Sequence, residues 1–334
     1  MKVITVFPSF ANKGGAEDMA ISIAKGLSED DTPVILHSDT TVGKVYENCG
    51  VVFEKLNLKN IRKYHRRGYV FLSHHRKSTT LLIMISRLLF FNKLRIIHIA
   101  HNTFSSLRRL TFFPKYNVAV SETVKENMIS YFGLKDKNIK VIYNGIPDCY
   151  NSEHRDICDN EDTINILFLG RIDPVKRQVD FVNATKGHLN DNIRVYFGGK
   201  GVDSDKLKTA IGEDFHYKML GLINPYVELY KYDYVCLFSE KEGLPLSLIE
   251  GAMFHKPLIT NDIPPCLEIN INGYSGFVAH SWEETIKSLN NLSLRASSEY
   301  NTLSNNSREI FDRLFNYDIM IKNYSKYISS ITWR

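Results

Sequence analysis

Two glutamates eight residues apart, Glu242 and Glu250, mark the segment SEKEGLPLSLIEGA that runs from Ser239 to Ala252. The apolar run Tyr234–Phe238 before it reads as a strand. Gly243 permits a tight turn, and Pro245 suits the first position of a helix. The backbone N–H groups between Leu244 and Ser247, that of Leu246 among them, would then be the unpaired donors of a helix N-terminus. Such a terminus carries about half a unit of positive charge and forms a seat for a diphosphate. Glu242 would reach a ligand from the turn while Glu250 stands along the wall, and a carboxylate is the usual partner of ribose hydroxyls. An ordinary helix start with two solvated glutamates is the bland alternative.

Other segments offer complementary chemistry. In GRIDPVK, residues 170–176, Arg171 and Lys176 could clamp phosphate oxygens, the arginine by its planar fork and the lysine as a point charge. His101, followed by Asn102, ends the strand-like run Arg95–Ala100 and could donate to a sugar hydroxyl. A hydrogen-bonded structural histidine is the competing reading. Gly14 and Gly15 let a backbone approach a ligand. Their surroundings are not GxGxxG, and no acid closes the next strand at the expected distance, so a nicotinamide dehydrogenase is disfavoured. Asp203-Ser204-Asp205 has the form of a DxD metal motif. It precedes a helix, so an N-cap is the better reading and no metal is expected.

The elements that must position these groups follow from periodicity. Strand candidates are Val3–Phe7, Pro33–His37, Val51–Phe53, Tyr69–Leu72, Arg95–Ala100, Val118–Val120 and Lys140–Tyr143, with helical patterns between most of them, Ala16–Leu27 first. After a polar, aperiodic stretch the pattern restarts with Ile164–Leu169, Arg194–Phe197, Tyr217–Leu220, Tyr234–Phe238, Pro257–Thr260 and Gly276–Val278, with a helix expected around Arg177–Lys186. The tail Ile310–Ile331 reads as helical from the spacing of Phe311, Phe315, Tyr324 and Tyr327. This predicts an α/β protein with two Rossmann-like domains: 1–150, a linker 151–163, 164–310, and a C-terminal helix 311–334 that crosses back to the first domain. Two such sheets facing one another would leave a cleft at the carboxyl ends of their strands. The loops after Phe7, Ala100, Tyr143, Leu169, Phe197 and Phe238 would line it.

Composition agrees with two ordinary domains: 334 residues, 43% hydrophobic and 24% charged. The opening MKVITVFPSF reads as a strand and turn, without the basic end and apolar core of a secretory leader. The most apolar stretch, Thr79–Phe91, is broken by Arg87 and is shorter than the ~20 residues of a membrane span. Five scattered cysteines without a CxxC pair suit reduced thiols in a cytoplasm. The net charge of +5 hides an asymmetry, for residues 1–150 carry 22 Lys/Arg against 12 Asp/Glu. Between Lys59 and Lys125 stand 14 basic residues and one acid, Glu122. A solvated face is one reading. An anionic lipid surface met by Arg62, Lys63, Arg66 and Arg67 is another, because the apolar LLIMISRLLFF lies within the basic stretch. Nucleic acid is disfavoured by the lack of a recognised binding motif.

Taken together, KGGAEDMAISIAKGL, IAHN, VAVSE, VIYNGI, LFLGRIDPVK, FGGKG, LGLI and SEKEGLPLSLIEGAMFHKPLITND…LEININGYSGFV resemble, in order and spacing, the retaining group-one nucleotide-sugar glycosyltransferases of the GT-B fold. The resemblance covers almost the whole chain and implies roles by position. Gly15 matches the glycine loop near the donor diphosphate, and His101 the histidine at the donor sugar. Arg171 and Lys176 match the pair that neutralises the leaving diphosphate. Glu242 matches the glutamate that holds the donor sugar, and Glu250 the one that binds ribose. Leu222 falls in the nucleobase loop. Three departures stand out: Ala16-Glu17 where a basic residue often follows the glycine, Arg177 where a glycine often follows the lysine, and Gly251 where alanine usually follows the second glutamate.

The resemblance implies retaining transfer of a hexosyl or other glycosyl group from a nucleotide-sugar, UDP-linked first and GDP-linked next, without a metal or other cofactor. The acceptor would be a glycan, lipid-linked, in bacterial surface polysaccharide synthesis such as lipopolysaccharide, O-antigen or capsule. The protein would be cytoplasmic and peripheral on the inner face of the plasma membrane. A catalytically idle GT-B glycan- or partner-binding module, or a GT-B epimerase or phosphorylase, is the alternative. Intact Glu242, Glu250, Arg171 and Lys176 speak against the idle module.

Overall fold

The computed structural model describes residues 1–11, 14–29, 32–39, 41–90, 93–152 and 162–333. They divide into two compact units, Met1–Asn144 with the stretch from Asp318 onward, and Gly145–Tyr317. Asn12, Lys13, Phe91, Cys158 and most of the expected linker 151–163 lie outside the described residues.

The first unit is built on seven parallel strands: β1 (Val3–Val6), β2 (Val34–His37), β3 (Val52–Lys55), β4 (Val70–Ser73), β5 (Ile96–Ala100), β6 (Tyr116–Ala119) and β7 (Ile139–Val141). Their order across the sheet is β3-β2-β1-β4-β5-β6-β7. The helices are α1 (Gly15–Leu27), α2 (Leu58–Arg66), α3 (Arg76–Leu89) and α4 (Glu122–Ser130). The second unit repeats the plan with β8 (Ile164–Leu169), β9 (Ile193–Gly198), β10 (Tyr217–Gly221), β11 (Tyr234–Leu237), β12 (Leu258–Asn261) and β13 (Gly276–Ala279). Their order is β10-β9-β8-β11-β12-β13. Its helices are α5 (Gln178–Thr185), α6 (Ser204–Ile211), α7 (Pro225–Glu228), α8 (Leu246–Met253), α9 (Pro264–Leu267), α10 (Trp282–Asn290) and α11 (Ser298–Ile310). All thirteen strands fall on runs expected from the sequence, because a parallel strand buried on both faces must be nearly all apolar. β4, β5 and β11 are buried from end to end.

In each sheet the strand order reverses beside the first strand, between β1 and β4 and between β8 and β11. Helices lead away from such a switch point in opposite directions, and ligands of open α/β sheets bind there, outside the carboxyl ends of the strands.

One expectation needs correction. The tail is not one helix: after α11 a wide turn at Phe311–Phe315 leads to an extended Asn316, and α12 (Tyr317–Ser330) begins afresh. The break is held by backbone, with Ile146 N–H donating to Phe315 O at 2.9 Å and Tyr317 N–H to Ile146 O at 3.0 Å. Within the apolar run Thr79–Phe91, only one side of α3 is core. Leu82 and Ile83 join the cluster around Ile61 and Phe71, whereas Leu81, Met84 and Leu88 are 44%, 47% and 76% exposed. A helix on one face of a sheet buries one stripe, and α3 carries a second apolar stripe outward.

Candidate functional site

The loops after β8 and β11 flank the switch point of the second sheet, and there the structure gathers four of the expected groups. Lys176 Nζ donates to Glu242 Oε1 at 2.6 Å. Ser239 Oγ donates to the same oxygen at 2.5 Å. Asp173, absent from the expected set, organises the cationic side. It accepts from Arg171 Nε at 2.6 Å and from the Lys176 backbone N–H at 3.0 Å. Gln178 Nε2 donates to Arg171 O at 2.9 Å, fixing the loop from its other end. The Arg171 side chain is 74% exposed and that of Asp173 is 10% exposed. The guanidinium thus reaches outward from an anchored carboxylate, with its terminal nitrogens available to an anion.

Backbone closeness shapes this rim. Gly199 follows β9 with a φ of +150°, and a Cβ there would stand 1.9 Å from Gly170 O. Glycine alone lets the β9 loop lie against the arginine loop. From the β11 side, Glu240 N–H donates to Val175 O at 2.7 Å. Asn261 Nδ2 donates to Ser239 O at 2.8 Å. The two loops are therefore one hydrogen-bonded surface.

α8 starts one residue later than the turn chemistry suggests. Pro245 is its N-cap, with φ −75° and ψ 106°, and Leu246 its first residue. Pro245 O accepts from Leu248 N–H at 3.2 Å and Ile249 N–H at 3.4 Å. The N–H groups of Leu246 and Ser247 have no acceptor in the first turn by the geometry of any helix. Ser247 Oγ beside them is buried without a partner among the described residues. Gly243 and Leu244 are buried in the turn itself, and Glu250 is half-buried on α8, one turn past the start. Leu222, just past β10, is 75% exposed. Asp203 stands at the N-cap of α6 as expected, yet its carboxylate makes no capping bond and pairs with Lys206 Nζ at 2.8 Å.

In the first unit, Gly14 is the N-cap of α1 and Gly15 its first residue, with Gly14 N–H donating to Tyr46 Oη at 3.3 Å. Glu17 and Asp18 fill the first turn of α1, so acids already sit where its dipole would attract an anion. His101 follows β5 and is 9% exposed. Its Nε2 lies 2.9 Å from Nδ1 of His74, the residue after β4, and the rings stack with centroids 5.2 Å apart and planes 15° apart. Burial, then repulsion from His75, pushes the His101 imidazole down to about 4. Burial, then His101 and His98, pushes His74 well below its ordinary value. Both rings are neutral at pH 7. No sequence signal singled out His74, because only the end-to-end alignment of two neighbouring strands brings it to His101.

Of the four basic residues expected at a membrane, Arg62 is exposed midway along α2, and Arg66 and Arg67 are exposed at and just past its end. Lys63 is tied to Glu54 Oε1 at 2.8 Å. The exposed apolar stripe lies elsewhere, on α3, together with exposed Leu107, Leu110 and Phe112. Arg87 caps it, its guanidinium 5.4 Å from the centre of the Phe112 ring.

Residues 151–310 match the family profile of the glycosyl transferases group 1, and residues 13–148 that of Glycosyltransferase Family 4. The O-antigen biosynthesis glycosyltransferase WbnH of Escherichia coli is 27% identical over 168 residues, 50% of this chain and 47% of that protein. The chain thus spans about half the length of that curated relative. Among solved structures, Anabaena Alr3699/HepE in complex with UDP superposes with a TM-score of 0.84 at 18% identity, over 99% of this chain and all of that one. The lipopolysaccharide outer core galactosyltransferase WaaB, in its apo form, gives 0.75 at 16% identity over 99% of each chain. These likenesses establish the GT-B fold.

Proposed function

We propose that this chain, which belongs to the group-one glycosyl transferases, moves a sugar from a nucleotide-sugar to a glycan acceptor with retention at the anomeric carbon. The observation that carries this is the cationic rim of the second unit. Arg171 and Lys176 after β8, Glu242 after β11 and the N-terminus of α8 flank a single switch point. In this reading a diphosphate competes with Glu242 for Lys176, and Arg171 and the α8 amides share its charge. Those fixed donors stabilise the departing nucleotide without a metal. Glu242, relieved of the lysine, turns to the donor sugar. Glu250 takes the ribose, and Leu222 lies toward the nucleobase.

HepE, whose fold this chain shares, is named in complexes with UDP and with UDP-glucose, which supports UDP as the first nucleotide to try and GDP as the next. The O-antigen role named for WbnH supports a lipid-linked acceptor in surface polysaccharide synthesis. For such an acceptor the outward stripe of α3, with Arg87 beside it, is the surface we assign to an anionic membrane. No helix among the described residues is long and apolar enough to cross one.

Calorimetric titration against UDP- and GDP-sugars tests the donor, and proton NMR of the product tests the anomer. Binding of one nucleotide-sugar with transfer to an α product from an α donor is expected. No binding across the panel would overturn the reading.

A further inference from the structure

β4 and β5 are neighbours in register, Ser73 opposite His98, so the residues that follow them, His74 and His101, emerge at the same edge of the first sheet. His74 is seated firmly. Its backbone N–H donates to Val6 O at 3.0 Å, and its ring is 4% exposed, packed against Phe7. Around the pair stand further fixed groups. Thr79 Oγ1 lies 2.8 Å from both His98 Nδ1 and Ser73 Oγ, and His75 caps α3 by accepting from Lys77 N–H at 3.2 Å. The Arg76 guanidinium is drawn away, stacked 3.5 Å from the centre of the Phe104 ring. Among the described residues no carboxylate hydrogen-bonds to either ring, so the His74–His101 contact is a bond between two imidazoles.

A bond of 2.9 Å between two neutral imidazoles holds one proton, and two arrangements are open. In one, His101 donates from Nε2, and His74 must then carry its own proton on Nε2. Among the described residues that atom is buried without a partner, so the arrangement orphans a buried N–H. In the other, His74 donates from Nδ1 and leaves only a lone pair orphaned on Nε2. Orphaned buried donors are rarer than under-used acceptors. The second arrangement forces the proton of His101 onto its Nδ1.

We propose that His74 is a positioning residue that locks His101 as the Nδ1–H tautomer, so that the histidine offers a hydrogen-bond donor from its Nδ1 edge and never an acceptor. The functional consequence rests on the transferase reading: a donor at that edge suits a sugar hydroxyl oxygen, whereas a bare nitrogen there would act as a base. The tautomer itself does not rest on that reading.

The test is 15N-histidine NMR of the whole chain, with long-range proton–nitrogen correlations showing which ring nitrogen of His101 is protonated. His101→Gln serves only to assign the signal. The wild type should show a protonated Nδ1 on His101. His74→Phe, which keeps the ring and its stacking but removes the donor, should move the proton wholly or partly to Nε2. His74→Asn, whose amide can donate from nearly the same place, should restore Nδ1–H. In transfer assays His74→Phe should lose about 10- to 100-fold in kcat, the range seen when a histidine loses its orienting partner at metal sites. Donor KM should hold, and His74→Asn should recover most of the loss. An Nε2–H signal for His101 in the wild type overturns the proposal, and so does an unchanged tautomer in folded His74→Phe. If His74→Phe does not fold, the wild-type spectrum alone decides. A chain with the Nδ1–H tautomer but no transferase activity would overturn the functional reading and leave the lock standing.

Discussion

Lys176 and Glu242 form an ion pair of 2.6 Å that joins the loops after two adjacent strands, β8 and β11. Their side chains are 17% and 13% exposed, so solvent screens the pair only partly. Among the described residues, the Ser239 hydroxyl makes the other hydrogen bond to that carboxylate oxygen. The lysine is thus already held in place, and its conformational entropy is spent before the diphosphate proposed above arrives.

Replacing either cation should cost transition-state stabilisation. Arg171→Ala and Lys176→Ala are each expected to lower kcat/KM about 30- to 1,000-fold, or ~2–4 kcal/mol. Asp173→Ala, which frees Arg171, should lower it in the same direction by less. Steady-state transfer assays with EDTA present measure this. Full activity in both cation variants removes them from the reaction, and activity abolished by EDTA and restored by magnesium removes the metal-free reading.

The two glutamates should separate kinetically. Glu242→Gln is expected to act mainly on kcat, because a contact to a sugar strengthens as the ring gains oxocarbenium character. Glu250→Gln should act mainly on donor KM. A rise in KM alone for both variants contradicts this division.

The histidine cluster makes stability depend on pH. An unfolded histidine takes up its proton near the ordinary 6.5, whereas burial holds His101 down to about 4 and His98 to about 3. The unfolded chain therefore binds more protons below pH 6.5. The full stability is present above that value and is lost as the pH falls toward 4, by up to about 1.4 kcal/mol per pH unit for each histidine. Urea midpoints at pH 7.5, 6 and 5 should fall in that order, and His98→Gln should flatten the trend. Equal midpoints would contradict it.

Membrane docking should depend on α3 more than on α2. Liposome sedimentation is expected to need anionic lipid and to weaken with salt, each nearby Lys or Arg contributing about 1 kcal/mol. Leu81→Ser with Leu88→Ser should abolish it, since these side chains are 44% and 76% exposed. Arg62→Glu with Arg66→Glu and Arg67→Glu should only reduce it. Equal recovery with neutral and anionic vesicles would leave the basic face as a solvated surface.

The strands and their segregation into two sheets were legible because burial on both faces leaves an apolar run that only a strand of that length explains. The motif at residues 239–252 was legible for a different reason: strand, glycine, proline and helix are each announced by a residue with one backbone preference. What stayed hidden depended on contacts distant in sequence. Asp173 lies inside a motif read for its cations, and His74 looks like any histidine until β4 and β5 align. The outward stripe of α3 was hidden because apolar periodicity shows that a helix has apolar faces, not how many of them the fold covers. Arg177 shows why the resemblance places a glycine after the lysine. Its φ is +57°, a conformation that costs a side chain roughly 1–2 kcal/mol. The arginine offsets part of this by lying 4.9 Å from the centre of the Trp282 ring.

Gly251 stands mid-way along α8, where an engineer seeking a hardier protein would first install alanine, expecting a gain of up to about 1 kcal/mol. A Cβ there would stand 2.9 Å from Val235 Cβ and Cγ2 and 3.2 Å from Leu258 Cδ2. The helix rides directly on β11 and β12, and alanine would lift the segment that carries Glu250. Positions 251 and 235 are therefore sterically coupled. Alanine at 251 becomes acceptable only after Val235 shrinks, so the order in which the substitutions arise is constrained, and a screen of single changes would discard a pair that is harmless together.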